Sequence, residues 1–379
     1  MTIFLLFFYI LVTCIVIWRA SDGFEAAASY LGRHMTEGVK GATINAVASS
    51  MPEVLTTFFF LFYLKDEDGF SGGIGTTAGS AIFNGMIIPA VVIFVVVFSG
   101  VAKRIYVSRK VVLRDGISLI LAELILITMI SGDSLHWGHG LVLMLVYVVY
   151  ATYTLSSMKK KDRNEIADFD LEVEKMPAIK SFFTLNLSSL ILGRNKIRNS
   201  NAWTLLVVST FVIAAACLLL VHSIEQMGVY FDVPIMFLAI ALASAASSVP
   251  DTILSMRDAQ KGNYDDAVSN ALGSNIFDIS FALGLPLFLY TIIYSPIQMS
   301  PQVVAQSGEL RMFLLLLTII AFGIYMTKNG LGVVKGVALI SIYVVFIVYI
   351  VGRSEGVAIT NTIAYYLNQV VDLIAIKWI

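Results

Sequence analysis

Charge is what this chain has least of. Asp, Glu, Lys and Arg make up 13% of its 379 residues, about half the share of an ordinary soluble domain, whereas apolar residues make up 58%. A soluble fold of this length could not hide so much apolar surface, so the excess faces lipid and the class is integral membrane protein. Cysteine is scarce too. Cys14 and Cys217 both sit inside apolar runs, which excludes a disulfide framework and reads as small buried hydrophobes. A net charge of −1 argues against a nucleic-acid partner. The first apolar run, 2–18, lacks the positive leader of a signal peptide. It reads as a retained first span with the N-terminus outside.

What is present is a series of long apolar runs. A membrane helix needs about 20 mostly apolar residues, and ten runs qualify: 2–18, 38–63, 70–99, 112–131, 138–156, 202–222, 233–256, 265–291, 310–327 and 332–352. The polar stretch 157–201 reads as a solvated loop dividing five spans from five. With the N-terminus outside, the inner side collects 21 of the 25 Lys and Arg residues. The outer side keeps only Lys65, Arg311, Arg353 and Lys377. The division predicts a first half over 1–156, a cytoplasmic loop over 157–201, a second half over 202–355 and a tail over 356–379. In the tail, Asn361, Tyr365, Asn368 and Asp372 form a polar stripe on one helical face, as in an interfacial amphipathic helix; an eleventh span is the alternative.

The chain repeats itself. Ala48-Ser49-Ser50-Met51-Pro52-Glu53 in span 2 matches Ala246-Ser247-Ser248-Val249-Pro250-Asp251 in span 7. Gly79-Ser80-Ala81-Ile82-Phe83-Asn84 in span 3 matches Gly273-Ser274-Asn275-Ile276-Phe277-Asp278 in span 8. Glu53 and Asn84 are 31 residues apart, and Asp251 and Asp278 are 27 apart. The copies lie five spans apart, an odd number, so the second crosses in the opposite sense. Inverted repeats of this kind mark secondary transporters with a substrate site near the midplane.

Glu53, Asp251 and Asp278 fall near the middle of their spans, as does Asn84, and no Lys or Arg is expected at their depth. Carboxylates there are costly unless paired, hydrated or bound to an ion, so the set calls for a mobile cation. Ser49, Ser80, Ser247 and Ser274 each precede the acid or amide by four residues, which places hydroxyl and carboxylate (or amide) on one helix face. Ser50 and Ser248 stand three residues away. Pro52 and Pro250 lack an N–H, which predicts freed carbonyls around 46–48 and 244–246. Hard oxygen donors of this kind suit calcium, and no thiol or imidazole lies near to suit zinc or copper.

At these residues the chain resembles the calcium/cation antiporter superfamily. The stretches 38–90 and 235–290 look like its two alpha repeats. The resemblance implies an all-α integral membrane protein with ten transmembrane helices in two inverted five-helix repeats. Spans 2, 3, 7 and 8 would form the core, and spans 1 and 6 would slide against it. It implies that Glu53 and Asp251 bind calcium, that sodium competes for overlapping sites, and that Ser49, Ser50, Ser80, Ser247, Ser248 and Ser274 lend side-chain oxygens. The carbonyls of Ala46 and Ser244 would join them, and Asn84 and Asp278 would complete the ring. Both repeats carry Ser-Ser where many sodium/calcium members carry Thr-Ser. The second-repeat motif looks most like the potassium-dependent sodium/calcium branch, and the Gly-Asn-Ala-x-Glu pattern of calcium/proton members is missing.

The function implied is a sodium/calcium antiporter with no cofactor. Its partners are the bilayer and its ions: calcium, sodium and, as an open question, potassium. A monomer is the reading adopted, and exchange against protons or of another divalent cation is the alternative. Three ionised acids give the pocket −3. One calcium leaves −1, which a co-bound potassium would neutralise. Three sodium ions also neutralise the pocket, and a protonated Asp278 removes the need for potassium, since burial and crowding favour the neutral acid. A cation channel is the rival class, but channels favour rings of identical subunits. No nucleophile–base pair or His-held metal appears in the spans, so an enzyme is not expected. Outside the repeats, Glu123 reads as a wet or paired structural acid, Arg114-Asp115 as a local ion pair, and Asp258, Asp265 and Asp266 as flanking a solvated inner loop.

Overall fold

A computed structural model describes residues 3–34, 39, 41–156, 176–193 and 196–374. Several inner-side charges predicted above (Lys40, Lys159, Lys160, Lys161, Arg163, Lys175 and Arg194) lie outside the described residues, as do Lys377 and the loop segments 157–175 and 194–195. The described chain is almost entirely helical: α1 Ile3–Leu31, α2 Ala42–Ser49, α3 Met51–Leu64, α4 Asp66–Phe98, α5 Arg109–Met129, α6 Trp137–Ser156, α7 Ala178–Phe183, α8 Leu187–Leu192, α9 Asn199–Phe231, α10 Ile235–Ser247, α11 Val249–Gln260, α12 Tyr264–Ile293, α13 Pro301–Tyr325, α14 Val333–Ser354 and α15 Ala358–Ile374.

Seven of these helices are long and apolar enough to cross a membrane, and up to nine crossings result if each bent pair counts as one. The bent pairs are α2–α3, at 45°, and α10–α11, at 41°. The cause of each bend is local. Pro52 and Pro250 sit in the first turn of α3 and α11, where the missing N–H costs nothing. Ser50 and Ser248, immediately before, leave the helical backbone region. α5 stands outside the nine because Arg114, Asp115 and Glu123 lie within it.

α1 is longer than the run 2–18 predicts. It continues past Arg19 because that charge is met on the protein: Nε donates to the Thr184 carbonyl at 2.8 Å and Nη1 bonds Asp22 at 3.1 Å. Asp22 also pairs with Arg257 of α11 at 2.7 Å. The stretch read as a solvated loop contains α7 and α8. Their apolar Leu187 and Leu192 are buried with α1 and α9 in a hydrophobic cluster separate from the main core. The main core takes in α4, α5, α6, α12, α13 and α14. A two-residue antiparallel ladder, β1 Ser134–Leu135 with β2 Ile297–Gln298, ties the segment after α5 to the segment after α12. α15 packs on its neighbours through Thr360, Ala364, Leu367 and Val371. Two members of its polar stripe bond the neighbouring helices: Asn361, at the exposed start of α15, accepts from Arg353, and half-buried Asn368 donates to Glu309 at 3.2 Å. Tyr365 stays exposed.

The two Gly-Ser motifs explain how the repeats interlock. A Cβ at Gly79 would collide with the Ile240 carbonyl and the Ser244 side chain of α10. A Cβ at Gly273 would come within 2.9 Å of the Ala42 backbone of α2. Each copy's glycine thus admits the other copy's broken helix. Gly79→Ala and Gly273→Ala are each expected to cost about 1–3 kcal/mol through overpacking. Thermal unfolding of the purified variants in detergent checks this, and an unshifted Tm would contradict the close approach.

Candidate cation site

The residues predicted from the repeats converge. Glu53, Asn84, Asp251, Asp278, Ser49, Ser50, Ser80, Ser247, Ser248 and Ser274 are all fully buried. They are held on α2–α3, α4, α10–α11 and α12. Asn84 and Asp278 fall in short wide-turn (π) segments, 83–87 and 278–282, inside α4 and α12. Such bulges re-aim side chains and recur at functional sites.

Ser80 is the hub. Its hydroxyl lies 2.7 Å from Asp278 Oδ2 and 3.4 Å from Glu53 Oε1. Ser248 Oγ stands 3.0 Å from Ser80 Oγ and 3.2 Å from Glu53 Oε1. Asn84 Nδ2 donates to Asp251 Oδ2 at 3.1 Å and reaches Ser80 Oγ at 3.2 Å. Ser274 Oγ donates to Asp251 Oδ1 at 2.7 Å. Three acids from three helices are therefore joined through two hydroxyls and one amide. In each case the bridging residue and at least one of its acids come from different copies of the repeat.

The hydrogen-bond inventory leaves oxygens over. Glu53 Oε2, Asp278 Oδ1, Asn84 Oδ1 and Ser50 Oγ are buried without a hydrogen-bond partner among the described residues. Buried polar atoms are rarely left in this condition, and all four are hard donors. Among the described residues, no group of three or more His, Cys, Asp or Glu side chains clusters into a ready-made metal cage. Hydroxyl and amide oxygens would have to complete the coordination, a mixture that calcium and sodium accept and that zinc does not favour.

Three expectations need correction. The carbonyls of Ala46 and Ser244 are not freed: the Ser50 and Ser248 amides donate to them at 3.0 and 2.9 Å. Proline removes the donor to the residue four before it, which is Ala48 or Ala246, so the second lone pairs of Ala46 and Ser244 are what remain, and the Ser49 and Ser247 hydroxyls already approach them at 3.5 and 3.2 Å. Ser49 and Ser247 turn their hydroxyls to main-chain carbonyls first, with Asp251 and Glu53 as their further hydrogen-bonding neighbours. Ser49 Oγ donates to the Asn45 carbonyl at 2.8 Å, and Ser247 Oγ to the Ser244 carbonyl at 3.2 Å. Finally, a basic residue does lie at this depth. Arg311, assigned above to the outer side, is fully buried in α13. It bonds Thr77, reaches the Ile74 carbonyl at 3.2 Å and stands 3.6 Å from Glu123. Among the described residues it forms no ion pair with Glu53, Asp251 or Asp278.

Sequence reasoning also passed over Asn270. Its Nδ2 reaches Ser255 Oγ at 3.0 Å and the Asp251 carbonyl at 3.5 Å, and its Oδ1 lies 3.4 Å from Ser49 Oγ. Its signal was available: it stands four residues before Ser274, on the same helix face. Arg114 and Asp115 pair at 2.5 Å as expected, with Tyr150 and Ser269 adding bonds to the carboxylate.

Buried acids held by hydroxyls and an amide thus gather at the meeting of two broken helices in a membrane protein. A family model described as sodium/calcium exchanger protein matches residues 5–156 and 201–352. The chain belongs to that family, a family of exchangers and not of enzymes. It is 24% identical over 285 residues to an uncharacterized membrane protein of Methanocaldococcus jannaschii, covering 74% of this chain and 82% of that one. It is 30% identical over 189 residues to sodium/potassium/calcium exchanger 3 of Homo sapiens, covering 48% of this chain but 29% of the human protein. Among solved structures, the sodium-calcium exchanger NCX_Mj aligns with a TM-score of 0.56 at 19% identity, over 92% of this chain and 99% of that one. An H+/Ca2+ exchanger, CAX, aligns with a TM-score of 0.61 at 13% identity, over 97% and 91%. At these identities the two structures share the fold.

Because Ser80 serves two acids at once, Ser80→Ala is expected to weaken calcium binding about tenfold, the value of one charge-assisted hydrogen bond. Equilibrium dialysis against calcium checks this, and wild-type affinity would remove Ser80 from the site.

Proposed function

We propose that the protein is a secondary antiporter that exchanges calcium for sodium by alternating access. Its ions occupy overlapping positions bounded by Glu53, Asp251, Asp278 and Asn84, with Ser50, Ser80, Ser248 and Ser274 supplying hydroxyls and Ala46 and Ser244 their remaining carbonyl lone pairs. Ser49 and Ser247 act one step back, unless movement of α2 or α10 turns them inward. The observation that carries this reading is Ser80 standing between Glu53 and Asp278, 3.4 and 2.7 Å from their oxygens, with unpartnered oxygens of both acids beside it.

In this reading the chain crosses the membrane ten times. The bent pairs α2–α3 and α10–α11 and the charged α5 count as crossings, and 1–156 and 202–355 are inverted halves. The N-terminus lies outside, and 157–201 faces the cytoplasm. α1 and α9 are the movable pair. They pack on each other and meet the broken helices through small apolar residues, Ala48, Ala239, Ala243 and Ala246 among them, a smooth contact along which they would slide while the interlocked repeats hold the ions. Sodium is preferred to the proton as coupling ion because the calcium/proton pattern is absent from the repeats and because relatives 30% and 34% identical over 189 and 150 residues are named sodium/potassium/calcium exchangers.

Glu53→Gln and Asp251→Asn are each expected to abolish sodium-driven calcium uptake in proteoliposomes while the folded protein remains detectable in the membrane. Normal flux from either variant would remove that acid from the site. Lowering the pH adds protons to the acids and takes away the charge that holds cations, so flux is expected to fall in acid. Flux unchanged down to about pH 5 would argue against carboxylate ligands. Uptake driven by a proton gradient without sodium would reassign the coupling ion.

A further inference from the structure

Arg311 is the largest fully buried side chain among the described residues, and nothing in the exchange reading uses it. A buried guanidinium is tolerated only with compensation, and its compensation here is partial. Nη2 donates to Thr77 Oγ1 and to the Ile74 carbonyl, both uncharged. Nη1 lies 3.6 Å from Glu123 Oε1, beyond hydrogen-bond reach. Nε and Nη1, and both Glu123 oxygens, have no hydrogen-bond partner among the described residues. This is a loose ion pair in the one place where loose pairs are expensive.

The position of the pair suggests its use. Thr77 lies three residues before Ser80 on α4, hence on the same face, and Ser80 donates to Asp278 at 2.7 Å. Arg311 therefore stands behind the Asp278 side of the site, one helical turn away. Its charge acts on Asp278 as well as on Glu123, and Thr77, which it holds, shares a helix face with Ser80, the residue that donates to Asp278.

We infer that Arg311 is a built-in monovalent counter-charge: it meets the negative charge left at Asp278 when calcium binds, so that a potassium ion is not required, and Glu123 tempers how much of that charge the site feels. This rests on the exchange reading, under which three ionised acids and one calcium leave a single negative charge. It also separates the chain from relatives whose names include potassium.

The test is calcium uptake into proteoliposomes driven by an outward sodium gradient, with potassium or choline as the other monovalent cation. The wild type is expected to transport equally in both salts. The double variant Arg311→Met/Glu123→Met removes the pair together and fills its volume, so no lone buried charge remains. It is expected to transport about tenfold faster in potassium than in choline. Glu123→Gln leaves the guanidinium untempered and is expected to weaken calcium affinity about tenfold in either salt. The inference is overturned by a wild type that needs potassium, by a folded double variant that stays indifferent to potassium or is inactive in both salts, or by Glu123→Gln with unchanged or tighter affinity. The wild-type comparison needs no variant, so it decides even where a variant does not fold. A wild type with no sodium-driven calcium flux in either salt would instead remove the exchange reading itself.

Discussion

The constraint on which everything else depends is the cost of an ionised carboxylate away from water. Placing one in a bilayer interior requires a partner, and this protein places three within reach of shared hydroxyl and amide groups. Ser80 gives one proton to a space bounded by Glu53 and Asp278, so it satisfies one acid well and the other poorly. Such an arrangement is a poor end point for a fold. It becomes a good one if cations bind there, because a cation can draw on every lone pair that a single proton cannot serve. The broken helices follow from the same constraint. Proline in the first turn and the wide turns at Asn84 and Asp278 bring polar groups to mid-helix without stranding main-chain donors.

Interlocking supplies the rigidity that such a site needs. Gly79 of one repeat lies against α10 of the other, and Gly273 against α2. The four site-bearing elements are thus fixed to each other by backbone-to-backbone approach, while α1 and α9 pack most extensively on each other and lie against the outer faces of the broken helices through Ala48, Phe60, Ala239, Ala243 and Ala246. A fixed site beside a separable helix pair is the mechanical requirement of alternating access, which exposes one set of ligands to two sides in turn. The Asp22–Arg257 pair joins α1 to α11 at 2.7 Å, and any sliding of α1 has to lengthen it.

How much of this was readable beforehand depended on whether the information was local. The duplicated Ser-Ser-x-Pro-acid and Gly-Ser-x-x-Phe motifs are local patterns, and they marked the acids, Asn84 and the bridging Ser80, Ser248 and Ser274. Helical spacing proposed Ser49 and Ser247 as ligands, but in helices a serine often returns its hydroxyl to a carbonyl three or four residues back, as both do here. The bend positions were legible from proline, and the range of carbonyls read as freed, 46–48 and 244–246, includes Ala48 and Ala246, whereas Ala46 and Ser244 keep their helical donors. Arg311 was not legible: it sits near the start of an apolar run, where a single arginine normally ends at the membrane surface, and only tertiary packing against α4 and α5 draws it inside. The bonds of Asn361 and Asn368 to Arg353 and Glu309 likewise depend on tertiary packing that the stripe alone does not show. α7 and α8 went unrecognised because six-residue apolar patches are too short to declare a helical period.

The central claim is that one cation position lies among Glu53, Asp278, Asp251 and the Ser80 hydroxyl. Anomalous diffraction from crystals soaked in strontium, a calcium substitute with a usable absorption edge, addresses it without reference to flux. The account predicts a strong peak within coordination distance of Glu53 and Asp251 that disappears when sodium replaces strontium. A peak confined to surface acids such as Asp265, or a strontium ion that sodium does not displace, would contradict it.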